Sequence, residues 1–409
     1  MGFFKSSASS ASSSKTRRIY LDYASSTPLD HGMLNTFPVL SEAALQANPS
    51  ALHQEGQLAK KALRDARTLV AKTLMAHDDE IIFTSNATES DNLALHGAVL
   101  AAIAHPPTED STHSTKVAII TTDSEHSAVL ETVKKLSANI ETTILETENG
   151  LLDPRAITIA EGVTVAIVSI LYVNNEIGVV QPIYDIAKRV RYLRKHHPAV
   201  TIILHVDATQ APLHYSLNVQ KLGIDMMTLG ATKLYCPKGV GLLYVKRGTA
   251  IQPIVYGGGQ EFGLRPGTEP IQLIHDFAHA LAYAQTTYEK YSEKISAIQK
   301  ETELLIQKLI PHAVITAHAL ARTPHISHIA LEGFDSELLV IELDARGFAV
   351  SAKSACKNEE VNESDIVTRI YGQGWGAVRI SYGRNTTSED TKKAILALQN
   401  ILTKYSHKI

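Results

Sequence analysis

Between Ile202 and Gln210 an apolar run ends in a carboxylate, Asp207, followed by an amide, Gln210. A carboxylate delivered by a hydrophobic strand needs a cation or a donor to face once it leaves water. A protonated pyridine nitrogen is such a partner, and an Asp set against it makes pyridoxal phosphate an electron sink. Downstream, Gly230-Ala-Thr-Lys233 places a lysine in a short polar turn after the apolar run Met226–Leu229. In a partly desolvated, cationic setting an amine loses basicity, becomes nucleophilic and moves protons; an isolated lysine beside a strand is ordinarily only surface. The third element, FTSNATES (83–90), follows Ile81-Ile82 and precedes the helical stretch Asp91–Ala104. Ala87 and Thr88 at such a helix start can hold a phosphate, and the same residue types also serve as plain N-caps.

These groups need a scaffold that brings strand ends together. From about Asn35 to Ala284, β-branched apolar runs alternate with amphipathic segments, the pattern of a largely parallel sheet wrapped by helices. The clearest buried strands are Val117–Thr121, Val163–Val173, Ile202–Val206 and Val240–Val245, and Gln181–His197 has helical spacing up to Pro198. Ligands of open α/β sheets sit beyond the carboxyl ends of strands, where Asn174, Asn175 and Asp207 fall; taken singly, each also reads as a turn-former. A long polar helix is expected around Thr286–Ile310. Beyond it, shorter strand-like segments and a terminal helix, with Thr386 and Glu389 as its capping box and Ile395, Leu398 and Leu402 on one face, suggest a second, smaller domain.

With 409 residues, 44% of them apolar, the chain exceeds the roughly 250–300 residues one core serves, so two domains are expected. The formal charge of -3 gives no broad electrostatic reason to bind nucleic acid or an anionic membrane. No apolar stretch reaches the roughly 20 residues that span a bilayer. The two cysteines, Cys236 and Cys356, are far apart and form no CxxC pair, so no disulfide framework or zinc site is indicated and a reducing cytoplasmic compartment fits. Residues 1–18 are Ser-rich and lack acids, and read as a disordered tail. Their transit-peptide-like composition and the Met1-Gly2…Ser6 pattern are permissive matches beside that plain reading.

Nine segments, in order, resemble motifs of NifS/IscS-type cysteine desulfurases: YLDYASSTPLD (20–30), FTSNATESDN (83–92), SEHSAVL (124–130), VNNEIGVVQPI (173–183), HVDATQ (205–210), KLYCPKGVGLLYV (233–245), GGGQEFGLRPGT (257–268), SAC (354–356) and VRISYGR (378–384). Singly they are weak; nine in order are specific. The resemblance implies an α/β fold of the pyridoxal-phosphate-dependent transferase type I. Its large domain, 31–287, would hold a mainly parallel seven-stranded sheet flanked by helices. A smaller α+β domain, 288–409, would carry the Cys356 loop, and 19–30 would join the small domain. It implies Lys233 as the Schiff-base lysine, Asp207 on the pyridine nitrogen, Gln210 on the ring hydroxyl oxygen and His126 stacked on the ring. Ala87 and Thr88 would hold the phosphate, and Thr268 would reach the cofactor of the neighbouring subunit in a homodimer. Asn175 and Arg379 would grip the substrate carboxylate, a planar guanidinium suiting bidentate binding. Cys356, flanked by Lys353 and Lys357 that favour its thiolate, would accept sulfur from L-cysteine, leaving alanine and passing the persulfide to a sulfur-acceptor protein such as an iron–sulfur scaffold or a tRNA-thiolation carrier. Cys236 keeps the reading of a packed, inert thiol.

The sequence departs from the family at three places. Gly230 and Thr232 stand where a Ser and a His usually assist at the phosphate, a loss worth about 1–3 kcal/mol of cofactor binding on the scale of charge-assisted bonds. Asn86 replaces a glycine in the phosphate turn, a change eased by the readiness of Asn to adopt left-handed conformations. Relatives by chemistry stay open at this level: a selenocysteine lyase, a cysteine-sulfinate desulfinase, an aminotransferase, or a silent homologue acting as a binding partner.

Overall fold

The structure, a computed structural model, describes residues 17–104, 115–352 and 366–405. Numbered along the chain, its strands begin with the two-residue β1 (Ile19–Tyr20) and continue with β2 (Ile81–Thr84), β3 (Val117–Thr122), β4 (Glu141–Leu145), β5 (Val165–Leu171), β6 (Thr201–Asp207), β7 (Met226–Gly230) and β8 (Gly241–Val245). β2 to β8 form one seven-stranded sheet in the order β2-β8-β7-β6-β5-β3-β4. β4, β3, β5, β6 and β7 run parallel, while β8 is antiparallel to both β7 and β2. β3, β5 and β7 are buried along their whole length, which is why their sequences are apolar runs rather than alternating ones. Helices 87–104 and 127–136 pack with Val117, Ile119 and Ile167 in one core, and helices 54–74 and 183–196 with Val168, Leu204 and Leu229 in another, so the sheet is covered on both sides.

The chain reverses direction across the sheet between β3 and β5: β4 lies on one side of β3, and β5, β6 and β7 continue on the other. Such a switch point opens a crevice at the carboxyl ends of the two strands. The loop after β3 supplies His126 and the loop after β5 supplies Asn175, and the register Leu171↔Asp207↔Thr228 sets the ends of β5, β6 and β7 side by side.

Helix Ile271–Leu309 is one continuous element of 39 residues, roughly 58 Å at 1.5 Å per residue. It starts well before the polar stretch expected around Thr286. Ile274, Phe277 and Leu281 belong to the large core, whereas Ile295, Ile298 and Ile306 belong to a second one. That second core is built on β9 (Val314–Ile315), β10 (Ile326–Glu332) and β12 (Trp375–Ser381), an antiparallel sheet in the order β12-β10-β9. Helix Ser388–Tyr405 closes it with Ile395, Leu398 and Leu402. Its capping box lies one residue later than expected: Thr387 and Asp390 exchange bonds, while Thr386 Oγ1 accepts from Gly383 N–H. β1 pairs in parallel with β11 (Phe348–Ala349) beside this core, Arg17 and Arg18 pair with Asp390 and Asp344, and the chain then crosses to the large core, where Thr27 and Asp30 N–H donate to the carbonyls of Thr232 and Tyr235.

Candidate active site

At the end of β6 the carboxylate of Asp207 accepts from Thr209 N–H (2.9 Å) and Thr209 Oγ1 (2.5 Å), both at Oδ1. Among the described residues its other oxygen accepts nothing, which suits a protonated nitrogen on a ligand. Behind it lies a set of buried groups whose charged forms burial disfavours. Asp91, on the inner face of helix 87–104, is 1% exposed; burial, with the nearby Asp207 adding, holds its pKa well above the carboxylate range. His205 bonds Ser169 Oγ (2.9 Å) and Thr228 Oγ1 (3.0 Å), and burial pushes its pKa down to about 4. Glu125 is pushed up to about 8, again by burial. Burial thus disfavours the charged forms of Asp91, His205 and Glu125 behind the Asp207 carboxylate.

Lys233 ends the short turn after β7, and its ammonium donates to the carbonyl of Ser25. The turn is stitched to the N-terminal segment through Thr27, whose N–H and hydroxyl both reach Thr232 O and whose Oγ1 accepts from Tyr235 N–H at 2.7 Å. Gly230 has an ordinary extended backbone (φ -144°). A Cβ there would stand 3.1 Å from the Cβ of Ala87, so the small residue lets the phosphate turn close on the sheet. Gly241 does the same more strictly, since its Cβ would lie 2.5 Å from the Asn86 carbonyl carbon.

Asn86 is not left-handed, contrary to the expectation for a glycine replacement. It caps helix 87–104: Oδ1 accepts from Glu89 N–H at 2.9 Å, and its carbonyl takes Ser90 N–H. Glu89 folds back to accept Ser85 N–H at 2.7 Å and pairs with Arg265 at 3.0 Å. These partners consume the flanking donors and leave the N–H groups of Ala87 and Thr88, with the Thr88 hydroxyl, directed to an anion at the helix start.

His126 caps helix 127–136 through Nδ1, which accepts from Ala128 N–H (3.1 Å). Of the paired asparagines, Asn174 is the turn-former: Oδ1 accepts from Glu176 and Ile177 N–H and Nδ2 donates to Ser124 O. Asn175 faces the cleft, and its carbonyl accepts from Arg379. Gln210 Nε2 donates to Ala24 O (2.8 Å) and Oε1 meets His325 Nε2 (3.1 Å). Because Oε1 only accepts, His325 carries its proton on Nε2 and takes the Thr323 hydroxyl on Nδ1 (2.7 Å). Burial pushes the pKa of His325 down to about 3, and His214 stacks on it with ring centroids 4.5 Å apart. Gln210 thus keeps one N–H for a ligand.

A single cleft of about 260 Å³ is lined by Ala87, Thr88, His126, Asn175, Asp207, Gln210, Thr232, Lys233 and Arg379. Gly230 lies beneath it and Thr268 is exposed on a loop outside it. Cys356, with Lys353 and Lys357, falls outside the described residues; the chain enters that stretch from Ser351, whose backbone exchanges hydrogen bonds with that of Arg379. Cys236 is buried, its thiol pushed up to about 12 by burial, as a packed thiol should be. Sequence reasoning did not single out Asp22, Ser25, Asp91, Glu125 or His325. Asp22, Ser25, Asp91 and Glu125 sit inside motifs quoted above, but His325 has no local signal at all. An anion-accepting turn, a lysine amine, an unpaired carboxylate oxygen and a free amide donor around one cleft fit pyridoxal phosphate, with its phosphate, aldehyde, ring nitrogen and ring oxygen. Among the described residues no cluster of His, Cys, Asp and Glu fits a metal ion.

Residues 19–393 match the family described as aminotransferase class-V. A cysteine desulfurase IscS of Dictyoglomus turgidum is 33% identical over 396 residues, 95% of each chain. Among solved structures, a NifS-like protein superposes with a TM-score of 0.81 at 29% identity, covering 95% of this chain and 100% of that one. A structure of SspA in complex with cysteine superposes with a TM-score of 0.71 at 31% identity, covering 89% and 98%.

Proposed function

The chain belongs to the aminotransferase class-V family, and within it we propose that it is a pyridoxal-phosphate-dependent cysteine desulfurase that converts L-cysteine to L-alanine and takes the sulfur onto Cys356. The observation that carries this reading is the convergence, in one cleft, of Lys233, Asp207, His126, Asn175, Arg379 and the Ala87–Thr88 turn, drawn from separate elements of the fold. Relatives named cysteine desulfurase and a similar structure solved with cysteine support the same substrate.

Ala87 and Thr88 would hold the phosphate, Asp207 would keep the ring nitrogen protonated, Gln210 would donate to the ring oxygen and His126 would cover the ring. The bound cofactor supplies an electron sink that makes the Cβ–S bond of the substrate labile. Lys233 would hold the cofactor aldehyde through its Nζ, and its amine would move the proton at the substrate α-carbon. Asn175 and Arg379 hold the substrate carboxylate. The thiolate of Cys356 attacks the substrate sulfur, so that one C–S bond breaks, one S–S bond forms, and alanine leaves an enzyme persulfide for a sulfur-acceptor protein. Residues 31–287 serve as the cofactor domain, 288–409 as the smaller domain carrying Cys356, and 19–30 as the segment joining it. In a homodimer the exposed Thr268 reaches the phosphate of the second site; its loop is anchored to the phosphate turn by Arg265–Glu89 and to β2 by Glu261, which accepts Phe83 N–H. No helix among the described residues is long and apolar enough to cross a membrane.

The test is a purified protein given pyridoxal phosphate and L-cysteine. A visible absorbance band lost on borohydride reduction and absent in Lys233→Ala, alanine release, and one added sulfur on the Cys356 peptide by mass spectrometry are expected. A Cys356→Ala protein that makes alanine at the wild-type rate refutes the assigned acceptor.

A further inference from the structure

We propose that Asp22 is an affinity-determining residue: a built-in carboxylate that occupies Arg379 until the carboxylate of the amino-acid substrate takes its place. The inference rests on the reading of Arg379 as the substrate anchor. Arg379 is 2% exposed, and three of its five N–H bonds have partners among the described residues. Both hydrogens of Nη2 are used, one to Asp22 Oδ1 and one to Ser25 Oγ, each at 2.7 Å. Nη1 donates to Asn175 O at 2.7 Å, and Nε is buried without a partner among the described residues. A guanidinium binds a carboxylate bidentately either through Nη1 and Nη2 or through Nε and Nη2, and both modes need a hydrogen on Nη2. An incoming carboxylate must therefore displace Asp22 or Ser25, or settle for one bond.

Asp22 can leave. Its side chain is 20% exposed, against 2% for its partner, and it precedes Ala24 and Ser25, which line the cleft. Ser25 Oγ also bonds Asp22 Oδ1 at 2.9 Å, so the hydroxyl can follow the departing carboxylate or stay to meet the new one. A buried Arg379 without Asp22 would be an uncompensated charge, which is why a resident carboxylate is needed when no substrate is present. The cost of its displacement is subtracted from the affinity for substrate.

The test compares KM for L-cysteine and the inhibition constant of L-alanine, which shares the carboxylate but has no sulfur, in the cofactor-loaded enzyme. Asp22→Asn keeps the oxygen acceptor and removes the charge. It is expected to lower both constants by about five- to tenfold, the scale of one charge-assisted bond in a partly exposed pair, with a smaller change in kcat. Ser25→Ala, which frees the other Nη2 hydrogen, moves both constants in the same direction by less and serves if Asp22→Asn folds poorly. Arg379→Gln raises both constants more than tenfold. If Arg379→Gln raises them while Asp22→Asn leaves them unchanged or higher, Asp22 only props the guanidinium and the exchange is overturned. If Arg379→Gln changes neither, the anchor reading itself fails.

Discussion

Glu125 offers a pH test of the charge pattern beneath the cleft. It is 7% exposed, its Oε1 accepts from Thr122 Oγ1 (2.7 Å) and Leu171 N–H (3.0 Å), and its Oε2 is buried without a partner among the described residues. Burial pushes its pKa from 4.5 up to about 8, against the two hydrogen bonds that favour the anion. Below pH 4.5 the group is protonated whether the chain is folded or not, and it contributes nothing to the pH dependence. Between 4.5 and 8 the folded state holds a proton that the unfolded state has lost. Stability must then fall as pH rises, by roughly 1.4 kcal/mol per unit, or about 5 kcal/mol across the window, before levelling off. Glu125→Gln keeps the Oε1 acceptor and is neutral throughout, so its advantage over wild type should grow from near zero at pH 4 to about 5 kcal/mol at pH 8. With an unfolding entropy of roughly 0.9 kcal/mol per kelvin for a chain this long, that is a gain of about 5 °C in Tm. Scanning calorimetry of both cofactor-free proteins across this range measures it. A Tm difference that stays flat, or shrinks as pH rises, means that Glu125 is ionised in the folded protein and that burial does not hold its proton there.

Two further outcomes follow from the same kind of reasoning. Arg67 and Glu261 form a buried bidentate pair (2.8 and 2.6 Å) that fixes the loop leading to Thr268; Arg67→Met strands the carboxylate and should cost about 3–5 kcal/mol, whereas Arg67→Met with Glu261→Gln should recover at least half of it by calorimetry. His325→Leu removes the donor that fixes the amide of Gln210. It should weaken pyridoxal phosphate binding about five- to tenfold in an absorbance titration, with His325→Asn closer to wild type; equal binding by all three proteins removes His325 from the site.

The parallel strands were legible because burial on both faces writes an unbroken apolar run: Val117–Thr121 and Ile202–Val206 match β3 and β6 to within a residue at each end. β4, whose residues are half-buried or exposed, carries no such run and was not found. The long helix was read too short because its first part, Ile271–Ala284, packs its apolar residues into the large core, while only the remainder shows the polar face expected of a surface helix. The site residues were legible where chemistry, strand ends and motif order coincided, as for Asp207 and Lys233. Asn86 was misjudged because a side chain able to cap the next helix removes the need for a left-handed turn. His325 reaches Gln210 across 115 positions, and no local pattern announces a contact made only by the packing of the two cores.

The same limit explains why no residue of the segment Asp22–Thr27 was singled out for the site. Its carboxylate, hydroxyl and carbonyl groups reach partners far away in the chain and hold the cations of the site: Lys233 through Ser25 O, and Arg379 through Asp22 and Ser25 Oγ. It also fixes Gln210 through Ala24 O and the lysine turn through Thr27. The segment is in turn registered from outside the cleft, since Leu21 N–H donates to Ala349 O (2.8 Å) and Ser381 N–H to Leu21 O (2.8 Å), both beside the second core. Displacement of either core relative to the other must therefore strain bonds to the amine and the guanidinium together. A cleft that needs both cations at defined positions, one for a cofactor and one for a carboxylate, thus has them set by one short segment, and the docking of that segment couples the two cores to the chemistry.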